Sequence, residues 1–116
     1  MEIKEEKGGN VKIVGLHGKL DASASPIVEE ALMRLLDGGE RQLVLDFSNV
    51  DFISSLGLRV LVATAKYMQK NKGKLAIAAL TKHVYDVFQI AGFTRIFSVY
   101  STCDEAVAHT QSAEPV

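Results

Sequence analysis

The sequence predicts an α/β fold: a mixed, mostly parallel β-sheet that opens with an antiparallel hairpin and carries about four helices. Three observations predict it. Residues 2–7 and 11–17 have strand character, and Gly8-Gly9-Asn10 between them supplies the positive φ positions of a tight hairpin. Two short apolar runs, 43–47 and 75–80, read as strands covered on both faces. Between those runs lies a segment with helical apolar spacing. Strand, helix, strand over that length is a βαβ unit, so the two strands are expected to be parallel with a right-handed crossover. The whole order reads β-β-α-β-α-β-α-β-α.

Each element follows from local pattern. In the second strand Val11, Ile13 and Gly15 face one way and Val14 and Leu16 the other, so the strand is expected inside the sheet. Residues 18–24 read as a loop. Ser25 then Pro26 is a helix start, the serine capping and the proline tolerated at the first helical position. Val28, Ala31, Leu32, Leu35 and Leu36 form its core stripe, and Gly38-Gly39 ends it. After the 43–47 strand, Ser48 to Asp51 reads as a short polar loop. Asp46 is expected to end the strand and Asn49 to form the turn. A long helix then begins at Ser54-Ser55, burying Leu58, Leu61, Val62, Ala65 and Met68 and turning Arg59, Lys66 and Lys70 to solvent. Asn71-Lys72-Gly73 closes it. Thr81 caps a third helix with the stripe Val84, Val87, Phe88 and Ala91, and Gly92 stops it. Residues 95–99 read as the last strand. Thr102 to Glu105 has capping-box spacing and starts a helix through about His109. One domain over 1–110 is expected, with 111–116 as a tail.

Composition narrows the function classes. The chain has 116 residues, 47% hydrophobic and 23% charged, which suits one globular domain with a real core. A net charge of −1 supplies no basic field for nucleic acid or an anionic membrane. The single cysteine, Cys103, excludes an intrachain disulfide and a multi-cysteine metal site. The charged N-terminus does not read as a signal peptide, and no apolar run reaches the ~20 residues of a membrane helix. The expected compartment is the cytoplasm. His17, His83 and His109 are spread over three elements without metal-ligand or triad spacing. Neither glycine pair forms a phosphate loop. A non-enzymatic protein without cofactor or metal is the expectation.

The residues that invite a function are Ser54 and Ser55. One serine at a helix start caps free backbone N–H groups; the second is not needed for that. A helix N-terminus also favours negative charge, so a hydroxyl there can carry a phosphate, which adds about 1.5 to 2 negative charges. Asp21, in the loop expected at the same end of the sheet, reads either as a partner contact or as a turn residue making a local Asx bond. Ser23 and Ser25 read first as caps. Gly57 sits in the first helical turn, where glycine costs ~1 kcal/mol relative to alanine. It either admits a partner or lets the helix pack close to the sheet.

This element order resembles the STAS family, and more narrowly its stand-alone bacterial anti-sigma factor antagonists. The likeness rests on Leu20-Asp21 before the first helix, on Val44-Leu45-Asp46-Phe47-Ser48, and on Asp51-Phe52-Ile53-Ser54-Ser55-Leu56-Gly57-Leu58-Arg59-Val60-Leu61. Ala91-Gly92-Phe93 leading to Phe97 adds to it, and it spans roughly residues 3 to 109. The resemblance implies a partner switch. The unmodified antagonist binds an anti-sigma factor that is also a serine kinase and thereby frees the sigma factor. The kinase phosphorylates a serine at the start of the second helix, and a serine phosphatase resets the system. On this sequence the acceptor position falls on Ser55, with Ser54 as second choice. The implied contact surface comprises Asp21, Ser23, Ser25, Ser54, Ser55, Leu56, Gly57 and Arg59. Two positions depart from the family's best-known pattern: Ser54 stands where it has Asp, and Leu56 where it has a small residue. An adaptor of a transport or chemosensory complex, acting without phosphorylation, is the alternative. Ser54 could cap and Ser55 accept, or the reverse.

Overall fold

A computed structural model describes residues 1–112. The strands are β1 (Glu2–Gly8), β2 (Val11–Leu20), β3 (Gln42–Ile53), β4 (Lys74–Ala78) and β5 (Ser98–Tyr100). The helices are α1 (Ser25–Asp37), α2 (Ser55–Lys70), α3 (Lys82–Ile90) and α4 (Cys103–Ser112), with a single 3₁₀ turn at Phe93–Arg95. The sheet runs β1-β2-β3-β4-β5 in spatial order. β1 pairs antiparallel with β2, and every later pair is parallel. This is the expected mixed sheet and the STAS-like arrangement of elements.

Strand alternation sorts the core into two layers. Leu43, Leu45 and Phe47 of β3 meet Val28, Leu32 and Leu36 of α1, Leu61 and Met68 of α2, and Val84 and Phe88 of α3. Val44 of β3 faces the other way and joins Val11, Ala76, Ala78 and Ala106 under α4. Phe88 centres an aromatic cluster, its ring centroid 6.1 Å from Phe47, 5.6 Å from Phe93 and 6.1 Å from Phe97. Such pairs add about 0.5–1.5 kcal/mol beyond the area they bury.

Several boundaries differ from the sequence reading. β2 runs on to Leu20 and β3 to Ile53, where a loop was expected on each. The two extensions pair with one another, ending at Leu20 opposite Ile53, and Leu20, Val50 and Ile53 are buried. Paired, buried positions at this spacing override the turn preference of Asn49 and Asp51. Asn49 is therefore a strand residue, and its Nδ2 lies 3.3 Å from His17 Nε2. The last strand begins at Ser98 and not at Arg95, because the Ile96 and Phe97 N–H groups both donate to the Phe93 carbonyl (3.0 and 2.9 Å) and cannot join a ladder. Ala91 is exposed and lies outside the core stripe of α3. In α2 the buried set includes Val60 and Thr64, whose hydroxyl is satisfied by donating 2.9 Å to the Val60 carbonyl. α4 passes the expected end at His109, and Gln111 Nε2 donates 2.7 Å to the Gly8 carbonyl. The rest of the expected tail, 113–116, lies outside the described residues.

Candidate functional site

The site lies where β2 and β3 end together. The Ser54 N–H donates 2.9 Å to the Leu20 carbonyl, which continues the pairing of the two strands by one bond. Ser54 then stops being strand and becomes the cap of α2. Its backbone is extended (φ −91°, ψ 170°), its Oγ accepts from the Gly57 N–H at 3.2 Å, and its carbonyl accepts from Leu58 at 3.0 Å. Ser55 is the first helical residue and is exposed. The structure thus separates the pair: Ser54 supplies the cap, and the Ser55 hydroxyl is left outward on a helix start that favours negative charge.

Gly57 explains why the helix can start here. A Cβ at this position would stand 2.8 Å from Leu20 Cγ, 2.9 Å from Ile53 Cγ1 and 3.0 Å from the Leu20 carbonyl oxygen. Of the two readings of this glycine, close packing of α2 on the strand ends is the one the geometry supports. Leu56 is 39% exposed beside it, Leu58 is half-buried against the core, and Arg59 is exposed four residues after Ser55 on the same side of the helix.

Of the loop expected over 18–24, the part from Asp21 on is a tight turn built by Asp21. Its Oδ1 accepts from the Ala24 N–H and the Ser23 hydroxyl, each at 2.9 Å, and its carbonyl accepts the Ser25 hydroxyl at 2.7 Å. The Ala24 backbone donor first, and then the Ser23 hydroxyl, hold the Asp21 carboxyl below the usual carboxylate range. The local Asx bond is thus present. Ser25 is not a cap: it is already helical, buried, and donates back to Asp21, while Ala24 is the flanking residue and makes no side-chain cap bond. Ser25 supports the turn from inside, and Ser23 alone of the two serines is exposed.

Phe52 escaped the sequence reading as a surface residue. It is 36% exposed at the end of β3, with Lys19 Nζ 5.9 Å above its ring and 3.9 Å from the Asp51 carboxylate. Reading 48–51 as a loop hid it; the signal would have been two strand ends of equal length, each with an apolar residue just before the shared polar edge.

Elsewhere the side-chain chemistry is quiet. Among the described residues no group of three or more His, Cys, Asp or Glu is placed to hold a metal ion. Burial, followed by the charges of Asp46, Asp104 and Glu6, pushes the Cys103 thiol up, away from the reactive thiolate. No described helix is long and apolar enough to cross a membrane.

Known proteins share this arrangement. The family model of the STAS domain matches residues 2–106. The chain belongs to the STAS domain family. Along its length this STAS domain is 36% identical over 115 residues to a Bordetella bronchiseptica protein named as an anti-sigma factor antagonist, BtrV, with 99% of each chain covered. A Thermotoga maritima structure, also described as an anti-sigma factor antagonist, superposes with a TM-score of 0.90 at 22% identity over 94% of both chains. The phosphorylated form of the Bacillus cell-fate determinant SpoIIAA superposes at 0.74 with 17% identity, covering 93% of this STAS domain and 98% of that chain. At these identities the two structural likenesses speak for the fold.

Proposed function

We propose that this STAS domain is an anti-sigma factor antagonist. It binds a serine-kinase anti-sigma factor, frees the sigma factor held there, and is switched off by phosphorylation of Ser55. One observation carries the reading: Ser54 alone caps α2, so the Ser55 hydroxyl stands exposed at the first helical position and is free for another task. The relative's name as an antagonist over 99% of both chains supports the same direction.

The physics of the switch is differential affinity. The unmodified edge offers a partner the half-exposed Leu56 and Phe52, the exposed Ser23 and Arg59, and the surface of the Asp21 turn. A phosphate on Ser55 brings nearly two charges and a hydration shell into that contact, and the complex would have to strip them. Moving from 1:99 to 99:1 bound takes about 5.5 kcal/mol of differential affinity. A desolvated, unpaired phosphate is of that order. A serine phosphatase restores the free hydroxyl. The protein itself performs no chemistry in this scheme and works from the cytoplasm.

The test is intact mass with peptide mapping of the protein taken from its own host during growth and under stress. Phosphate on Ser55 that varies with condition is the expected result. Phosphate on Ser54 would move the site to the cap. Its absence under every condition would overturn the switch and leave a constitutive antagonist or the second reading, an adaptor in a transport or chemosensory complex that acts by contact alone. Ser54 in the place where the family's best-known pattern has a carboxylate favours that alternative.

A further inference from the structure

The carboxyl edge of the parallel strands holds a second feature, away from α2. A cleft of about 460 Å³ opens where β4 and β5 end, lined by Leu80, Tyr85, Thr94, Val99, Tyr100 and Ser101. None of the six carries a formal charge at neutral pH. Leu80 and Val99 are apolar. Tyr85 is 41% exposed, so its ring is presented at the surface, whereas the Tyr100 ring is already stacked on His109 at 4.9 Å. The hydroxyls of Tyr85, Thr94 and Ser101 make no hydrogen bond to another residue among those described.

The rim of the cleft is held in an uncommon conformation. Ala79, just before Leu80, has φ 59°, a left-handed backbone rare for a residue with a Cβ. It is fixed there by its N–H donating 2.9 Å to the Tyr100 carbonyl, which joins the ends of β4 and β5. Strain that the surrounding structure maintains collects at ligand clamps.

We propose that this cleft binds a small, neutral heteroaromatic molecule, its ring against Tyr85 and Leu80 and its hydrogen-bonding edge on the Thr94 and Ser101 hydroxyls. The uncharged lining sets the class, because it offers an ion no counter-charge while its hydroxyls can pair with a neutral hydrogen-bonding edge. The turn it occupies is tied to the serine edge: Thr81 caps α3 and its hydroxyl also donates 3.1 Å to the Val50 carbonyl of β3. The inference stands whether or not Ser55 is modified.

The experiment is an amide chemical-shift titration of the full chain with adenine and benzamide as neutral probes and benzoate and benzamidinium as charged matches. The neutral probes are expected to saturate in the millimolar range, about the affinity of a single-ring fragment, with shifts centred on Leu80, Tyr85, Thr94 and Ser101. The charged matches are expected to bind at least about tenfold more weakly. Tyr85→Ala is expected to raise Kd about fivefold or more with a melting temperature within a few degrees of the parent, since the side chain is partly exposed. Thr94→Val reads the hydrogen-bonding edge separately and should weaken both neutral probes. Unsaturable shifts, shifts centred elsewhere, equal binding of the charged probes, or unchanged affinity in both variants would each overturn the proposal.

Discussion

Single residues at the start of α2 have separable jobs. Ser54→Ala removes the cap on Gly57 and should cost about 1 kcal/mol. Ser55→Ala removes an exposed hydroxyl and should stay within about 0.5 kcal/mol of the parent, so urea denaturation of the two variants distinguishes cap from free hydroxyl. Gly57→Ala would gain helix propensity yet drive its Cβ against Leu20 and Ile53. Overpacking costs about 1–3 kcal/mol against a propensity gain of ~1, so a net loss is expected in the same assay. Asp21 gives a pH signature. Its folded pKa is depressed, first by the Ala24 N–H and then by the Ser23 hydroxyl. Its contribution is therefore present above the unfolded carboxyl pKa and is lost as pH falls through the folded one. Asp21→Asn should flatten the decline in denaturation midpoint below about pH 4, relative to the parent.

At the scale of elements, the sequence was most legible where pattern and burial agree. The α1 stripe, the Thr81 cap and the Gly92 stop are where periodicity and turn chemistry put them, because each depends on neighbours in sequence, and the hairpin turns at Gly9-Asn10 with Gly9 alone at positive φ and Gly8 drawn into β1. The strand ends were illegible for the opposite reason. Gly18 to Leu20 and Ser48 to Ile53 look like loops in isolation and become strands only because they pair with one another. The helix start at the serine pair was legible, and its surroundings less so. Ser25 turned inward and Phe52 outward, and both depend on how the paired strands terminate. The aromatic cluster makes a prediction at this scale. Phe88→Ala removes the ring shared by Phe47, Phe93 and Phe97, and should cost about 3–5 kcal/mol in thermal or chemical denaturation. The loss should spread to the 3₁₀ turn, read as faster hydrogen exchange at Ile96 and Phe97, whose N–H groups that turn holds.

Taken whole, the molecule places three helices on one face of the sheet, α4 on the other, and the exposed Ser55 at the carboxyl edge of the strands. In the proposed reading, recognition sits at that edge and stability in the two buried layers. Ser55→Asp should abolish capture of a serine-kinase anti-sigma factor in a pull-down while leaving the melting temperature within a few degrees of the parent, about what an exposed helix-start substitution allows. Tight binding by that variant would sink the switch. The Leu20 carbonyl shows what kind of switch the fold permits. It receives the Ser54 N–H and is also the backbone atom that keeps Gly57 bare, so the α2 start is pinned from two directions by one peptide group. That double contact opposes rotation of the helix start. Under the proposed switch, a group added to Ser55 therefore acts on what the surface says to another protein, with little mechanical leverage on the body beneath: the message would be written in charge and water.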